Sequence, residues 1–411
     1  MSLESHATCM PGPWAERALS PREVPGTLPP PGTGWSRAGA GLLGWGQVCV
    51  IEARVASDVT ASLDALLGEL AAAGPWLGGW AFDLEQPPAG VWADFPLLRF
   101  VVPAVVLRWG GSAATLSWQS GAEDLAVEIQ RAWDSPHAGG SPPRSTWALG
   151  NRAHWDALHA RALDEVASGR LGKVVLARSV PGRSSATPLG AFLALARGNP
   201  GSRAFLFQCG AGTFVGASPE ILCHVEGDRL ETEALAGTAP VAEAEGLRAS
   251  DKDLREHAHV VESIRDALEG RVSGLTVPTS PDLVRLPRLA HLRTPIRARL
   301  PDRSQLPGIV RALHPTPAVN GVPRSAARAF LRVEEGLSRG WFTGVVGCVE
   351  GESVELRVAL RCALLHGDGA AELFAGAGVV AGSTSDGEWT ETARKLQTAK
   401  AALGQETVGN V

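Results

Sequence analysis

Apolar positions along this chain switch between two periods, and the switches mark its elements. Trp155, Leu158, Ala162 and Val166 recur at helical spacing, and Gly169 closes that helix before the apolar run KVVLARSV that begins at Lys173. Val260, Ile264 and Leu268, at steps of four, predict a second helix over residues 251–269, and a last helix is expected from about 386 to 403. Between them lie short β-branched segments: FLFQC, ILCHV, GVVGCVE, SVELRVALRCALL and AELFAGAGVV. Residues 40–133 alternate short apolar runs with turn residues, with one helix-like segment at 62–74. Residues 1–35 read as an irregular arm, rich in Pro and Gly and without a period, and DSPHAGGSPPRST (134–146) reads as a linker. Strands that follow strands, with a few long helices, predict an α+β fold rather than regular βαβ alternation. The chain thus divides into the arm, an N-terminal part (36–146) and a larger C-terminal region (147–404).

Composition narrows the classes of function. Hydrophobic residues make up 45% of the 411 and charged residues 20%, enough apolar surface for a large core. A net charge of −5 with mixed signs argues against nucleic acid or an anionic membrane as the main partner. The most apolar stretch, LLRFVVPAVVLRW (97–109), carries two arginines and a proline, so it is expected to form one or two strands rather than a membrane span. No basic flank precedes an apolar core near the N-terminus, which points away from secretion. Cys9, Cys49, Cys209, Cys223, Cys348 and Cys362 are scattered without metal-ligand spacing, so reduced thiols in the cytoplasm are expected. With no tyrosine in the chain, phenolic acid chemistry is excluded.

Several charged residues stand in unusual places. Lys173 opens a strand in which Val175 and Ala177 share its face. Glu220 follows Pro219 and precedes the apolar ILC, where a carboxylate could satisfy a turn. Glu256 is in line with Val260, Ile264 and Leu268, so it must be paired, protonated or bound to a cation. In the last helix Glu388, Glu391 and Lys395 share a face; Ser385 and Glu388 fit a capping box, and Glu391 and Lys395 a stabilising pair. Arg357 and Arg361 fall on one face of the alternating segment VELRVALRCALL.

Taken in order, GKVVLARS, FVGASPE, SDKDLREH, LHPTPAVNGVP (313–323), RVALRCA and AGAGVVAGSTSDGEWTETARKL (375–396) resemble the chorismate-utilising enzymes, and within them the isochorismate synthases. The resemblance covers residues 152–400. It implies one large α+β domain of two packed antiparallel β-sheets flanked by helices, with the N-terminal part adding strands and residues 147–404 forming the catalytic region. It implies that Lys173 activates a water, where anthranilate synthases usually carry glutamine, and that Glu220 protonates the departing C4 hydroxyl of chorismate. Glu256 and Glu391 match Mg²⁺ ligands, with Glu388 a third ligand, a supporting group or a cap. Two carboxylates leave most of an octahedral Mg²⁺ to water and substrate oxygen. Arg361 and Lys395 match residues that contact substrate carboxylates. Gly237, Thr238, Gly376 and Gly378 offer close backbone approach, and His314 a polar contact in the pocket.

The implied reaction is an isomerisation, water adding at C2 as the C4 hydroxyl leaves, for menaquinone or siderophore synthesis. The rivals are salicylate synthase, which also expels pyruvate, and the aminating branch, against which Lys173 and the lack of an amidotransferase motif argue. A chorismate-binding protein without turnover would be expected to lack one of the four central residues. GAGVVA (376–381) mimics the start of a dinucleotide fingerprint, but only 30 residues follow, too few for a βαβ unit. The expected form is a cytoplasmic monomer without nucleic-acid, membrane or amidotransferase partners. Phe342 stands where relatives commonly have tyrosine.

Overall fold

The β-branched segments form strands, and the strands gather into two sheets, one of thirteen and one of ten. The computed structural model describes residues 12–20, 22–37, 39–68, 74–135 and 142–406. Pairing among them is antiparallel, apart from a short parallel contact between Gln405–Glu406 and Arg144–Trp147. The fold is α+β, with strands from the first 150 residues in both sheets: Thr33–Arg37 pairs with Arg203–Cys209, and Trp76–Trp80 with Val345–Glu350.

Burial on both faces explains why the run AFLF in the Arg203–Cys209 strand is apolar instead of alternating. Phe205 and Phe207 point into the core between the sheets, where they meet Trp92, Phe95 and Trp341. Leu206, between them, points outward into a second core closed by Trp133, Phe192 and Leu396 from the helices Glu123–Asp134, Pro188–Gly198 and Ser385–Ala402. The Asp251–Leu268 helix packs against the Arg229–Pro240 strand of the ten-stranded sheet, burying Val260, Ile264 and Leu268.

Four times the chain passes from one sheet to the other within a few residues: after Trp45, Val102, Ser218 and Val358. Pro103 explains one passage, since it has no N–H for a ladder. The passages are stitched in pairs. Val48 N donates to Val102 O and Ala104 N to Trp45 O, both at 2.9 Å. Val358 N donates to Glu220 O and Ala217 N to Arg361 O, both at 3.3 Å. Glu220 and Arg361 therefore occupy neighbouring corners where two strands change sheets.

One buried ion pair ties distant segments to this frame. Arg339 and Glu335 are each 3% exposed. Arg339 donates to Glu335 through Nε at 2.6 Å and Nη2 at 2.5 Å, to Val175 O at 2.7 Å and to Val319 O at 2.8 Å. Glu335 Oε1 accepts from Ala177 N at 2.8 Å. The Lys173–Ser184 strand, the 313–320 segment and the turn before Val345 thus share one set of bonds.

Some expectations are corrected. Segment 353–365 is two strands, Ser353–Val358 and Cys362–His366, in different sheets. The arm is not irregular throughout: Ala15–Leu19 pairs with Ala113–Trp118, while residues 1–11 and 21 lie outside the described residues. The helix expected at 62–74 runs Ala56–Leu67 and stops at Gly68, with 69–73 outside the described residues. Val59, Leu63, Leu66 and Leu67 set its buried face, earlier than the expected span. Of the linker, 136–141 lie outside the described residues, and its end enters the strand Arg144–Trp147. Cys49 is disulfide-bonded, against the expectation of reduced thiols; Cys209, Cys223, Cys348 and Cys362 are free. No helix among the described residues is long and apolar enough to cross a membrane.

Removing one member of a buried ion pair strands the other charge. Glu335→Gln should therefore lower the unfolding free energy by about 3–5 kcal/mol, measured by urea titration. A change below about 1 kcal/mol, the range of ordinary surface substitutions, would show that the clamp is dispensable.

Candidate active site

The two corners open into a narrow cleft of about 60 Å³. Its charged lining comprises Glu220, Arg361, Glu256, Glu391 and Lys395, with the His291 ring between them. Segments up to 175 residues apart, from Glu220 to Lys395, thus place their predicted groups on one surface. Gly237, Thr238, Gly376 and Gly378 line it as well.

Glu220 is 3% exposed. Its carboxyl is pushed up to about 8 by burial, with a further push from the negative charge of Glu233. A 3.4 Å hydrogen bond donated by Thr316 Oγ1 and the charges of Lys173 and Arg361 pull the other way without prevailing. At neutral pH this carboxyl holds its proton and faces the cleft as an acid. The bland alternative, a carboxylate that merely satisfies a turn, does not fit a group so deprived of donors.

Arg361 has a left-handed backbone, φ 53°, and so does Thr343, φ 58°, which also lines the cleft. Non-glycine residues held there are strained, and such strain concentrates at functional sites. The conformation turns Arg361 out of the strand face it was expected to share with Arg357. Arg357 instead bonds Glu355 outside the cleft, at 2.8 and 3.0 Å. Burial brings Arg361 down to about 10, which leaves it charged at neutral pH. Its Nη2 donates to His291 Nε2 at 3.2 Å, while His291 Nδ1 faces Gly237 O at 3.1 Å and Thr238 Oγ1 at 3.2 Å. Burial, with the charges of Arg361 and Lys395, lowers His291 to about 3. The ring is therefore neutral, with its proton on Nδ1, and orients the guanidinium.

Lys173 is fully buried, so it is not a solvated strand-end lysine. Its Nζ lies 2.8 Å from Glu256 Oε1 but outside hydrogen-bond alignment, and it has no hydrogen-bond partner. Lys173 does not itself line the cleft; it sits behind Gly378. A Cβ at Gly378 would come 2.5 Å from Glu256 Oε1 and 2.9 Å from Lys173 Cε, so a side chain there would push the ends of both residues aside. Burial disfavours the ionised form of Glu256, but Lys173, Lys395 and Lys252 outweigh it and hold the carboxyl below its ordinary value.

Three lysine–carboxylate pairs surround this end of the cleft: Lys173–Glu256, Lys252–Glu388 at 2.6 Å and Lys395–Glu391 at 2.5 Å. Lys395 Nζ also donates to Gly376 O at 2.9 Å. Glu388 is 1% exposed, lies behind the lining, and is pushed up by burial and by Glu391 against the opposing pull of Lys252. It is not a cap. The helix is capped by Thr384, whose Oγ1 accepts from Gly387 N at 3.2 Å, while Ser385 turns to Asp156. Hard oxygen donors on Glu256 and Glu391, facing one cleft and gathering several cations, suit a divalent ion that keeps open positions. No group of three or more His, Cys, Asp or Glu among the described residues forms a closed metal site.

His314 is corrected. It does not line the cleft; its Nε2 donates to Thr343 O at 3.0 Å and its ring packs edge-on to Trp80. Burial lowers it to about 3, so it is a neutral buckle for the 313–320 segment. The sequence reading missed His291, Thr316 and Lys252. LHPTPAV had drawn attention to its histidine rather than to Thr316, and His291 lies in a strand without a marked motif. Phe342 stacks on Phe374, ring centroids 5.4 Å apart, and makes an apolar floor.

A family model described as "Chorismate binding enzyme" matches residues 52–404. The salicylate biosynthesis isochorismate synthase of Pseudomonas aeruginosa is 38% identical over 362 residues, covering 79% of this chain and 73% of that protein. The isochorismate synthase MenF of Bacillus subtilis is 31% identical over 360 residues, covering 82% and 76%. Among solved structures, MenF, the menaquinone-specific isochorismate synthase from Escherichia coli, superposes with a TM-score of 0.79 at 25% identity, covering 98% of this chain and 97% of that one.

A glutamate whose folded pKa is raised stabilises the fold only at low pH. That stability is present below about 4.5 and is lost as pH rises through about 8. Glu220→Gln should therefore melt higher than the wild type at pH 9 and close to it at pH 5. Equal differences at both pH values would show that Glu220 is already ionised in the folded protein.

Proposed function

The chain belongs to the chorismate binding enzyme family, and we propose that it is an isochorismate synthase that uses Mg²⁺. The observation that carries this reading is a buried, protonated Glu220 sharing one cleft with a charged Arg361, two facing carboxylates and a buried amine behind a glycine. Chorismate has two carboxylates and a hydroxyl that must leave as water, so it needs cations and an acid. Arg361, oriented by His291, takes the enolpyruvyl carboxylate, and a guanidinium fork suits that geometry. Glu220 gives its proton to the C4 oxygen as that bond breaks. Lys173, freed from Glu256 and as the neutral amine left once its ammonium proton has passed to solvent, takes a proton from the water that bonds to C2, and the ring double bonds shift between the two events. The product carries the same atoms as the substrate.

Glu256 and Glu391 would hold the Mg²⁺, which supplies a positive anchor for the ring carboxylate. Lys395, tied to Gly376 O and Glu391, completes the carboxylate end of the cleft. Loss of pyruvate is no part of this reading. The printed names divide, one relative being for salicylate biosynthesis and one solved structure menaquinone-specific, and the proposal stops at isochorismate, the product they share.

With Mg²⁺, purified protein should interconvert chorismate and isochorismate, followed by chromatography. Stoichiometric salicylate and pyruvate would place it in the lyase branch instead, and activity undiminished by EDTA would remove the metal role of Glu256 and Glu391. Lys173→Gln and Glu220→Gln should each cut kcat by roughly 10²–10⁴, the usual worth of a positioned proton-transfer group. Near wild-type turnover in Lys173→Gln would end the proposed mechanism. Gly378→Ala, which crowds Lys173 and Glu256, should cost about 10²-fold with an unchanged circular dichroism spectrum.

A further inference from the structure

Two strands leaving a tight hairpin usually keep exchanging backbone hydrogen bonds. Ile221–Glu226 and Arg229–Pro240 pair only at Glu226–Arg229, Val225–Leu230 and His224–Glu231. Toward Glu220 the ladder opens, and a side chain takes the place of the missing strand acceptor: Ile221 N donates to Glu233 Oε1 at 2.9 Å. The other oxygen, Oε2, accepts from Arg293 Nε at 2.5 Å, and Glu233 is only 4% exposed. Both carboxylate oxygens are thus held in a buried place.

Behind this opening lies a second polar cavity of about 310 Å³, on whose wall Glu233, Arg293, Pro219 and Ile221 meet. Glu220 therefore stands in a partition, with the cleft in front and Glu233 to its rear. The groups that act on Glu220 come from four elements. Lys173 belongs to the Lys173–Ser184 strand, Arg361 to the sheet passage, Thr316 to the 313–320 segment and Glu233 to the Arg229–Pro240 strand. Arg357, whose Nη1 donates to Pro219 O at 3.4 Å, is neutralised by Glu355. Of the charged groups in that set, Glu233 alone is negative, with Arg293 as its counter-ion.

We propose that Glu233 is a positioning residue for Glu220: it opens the hairpin so that Glu220 turns into the cleft, and its carboxylate, bonded to the N–H that follows Glu220, favours the acid form. The proposal takes Glu220 as the proton donor of the reading above. The carboxyl value of about 8 agrees with it, since Glu233 is the second cause of that displacement after burial.

The test follows Glu220 itself by carbon NMR on protein labelled at the glutamate carboxyl, its signal assigned by absence from Glu220→Gln. In Glu233→Gln the titration midpoint should fall by about one pH unit or more. In Arg293→Gln, which keeps the Glu233 charge and removes its counter-ion, the midpoint should rise. Arg293 is a third exposed, so this variant decides the matter if Glu233→Gln fails to fold. Midpoints within a few tenths of wild type in the variants that fold would overturn the proposal. With turnover present, the alkaline limb of the rate profile should move with the NMR midpoint; a uniform loss at every pH with an unmoved midpoint would make Glu233 structural only. Absence of turnover in the wild type would instead overturn the functional reading, while the NMR shift still decides the role of Glu233.

Discussion

A guanidinium cannot be buried unless nearly every one of its N–H groups finds an acceptor. Arg339 meets that demand with the Glu335 carboxylate and the carbonyls of Val175 and Val319, and its face lies over the Phe82 ring, 4.5 Å from the centroid. Those acceptors belong to segments separated by up to about 160 residues. Once the pair is formed, the Lys173 strand, the loop that delivers Thr316 and the turn that carries Phe342 and Thr343 can no longer shift independently. The cleft inherits its accuracy from this clamp rather than from contacts inside it, as preorganised sites require.

Burial then decides the protonation states. The same loss of water keeps Glu220 protonated and His291 and His314 neutral, while Arg361, whose ordinary value is far higher, stays charged. An acid, a neutral orienting ring and a cation emerge from one environment because the groups start from different intrinsic affinities for the proton. The sheet passages make this possible. A side chain at such a corner is walled by both sheets, whereas one in mid-strand would point into a dry core or into solvent.

The helices and most strands could be read from periodicity because their apolar faces are long and regular. The charged cluster could be read because a glutamate in line with Val260, Ile264 and Leu268 demands a partner, and Lys173 is that partner. The passage at residues 359–361 could not. Ala-Leu-Arg carries no turn residue, and a left-handed arginine is imposed by tertiary packing rather than local preference. His314 drew attention through its motif, yet its ring serves a backbone carbonyl. Thr384 and Ser385 are equally able to cap, so the order of the two could be settled only by where the chain turns. His291, Thr316 and Glu233 lie in ordinary strand or loop text; their importance comes from neighbours far away in sequence.

The three lysine–carboxylate pairs have a consequence for electroneutrality. Each pair cancels, and with Glu220 protonated the Arg361 guanidinium is left as the surplus charge of the group. In a cleft shielded from water, adding uncompensated charge is costly. A dianion entering alone would drive the balance negative, and a dication alone would drive it strongly positive. Entering together they would leave the sum where it began, so the charge inventory of the cleft's own side chains favours occupants that arrive as a neutral couple.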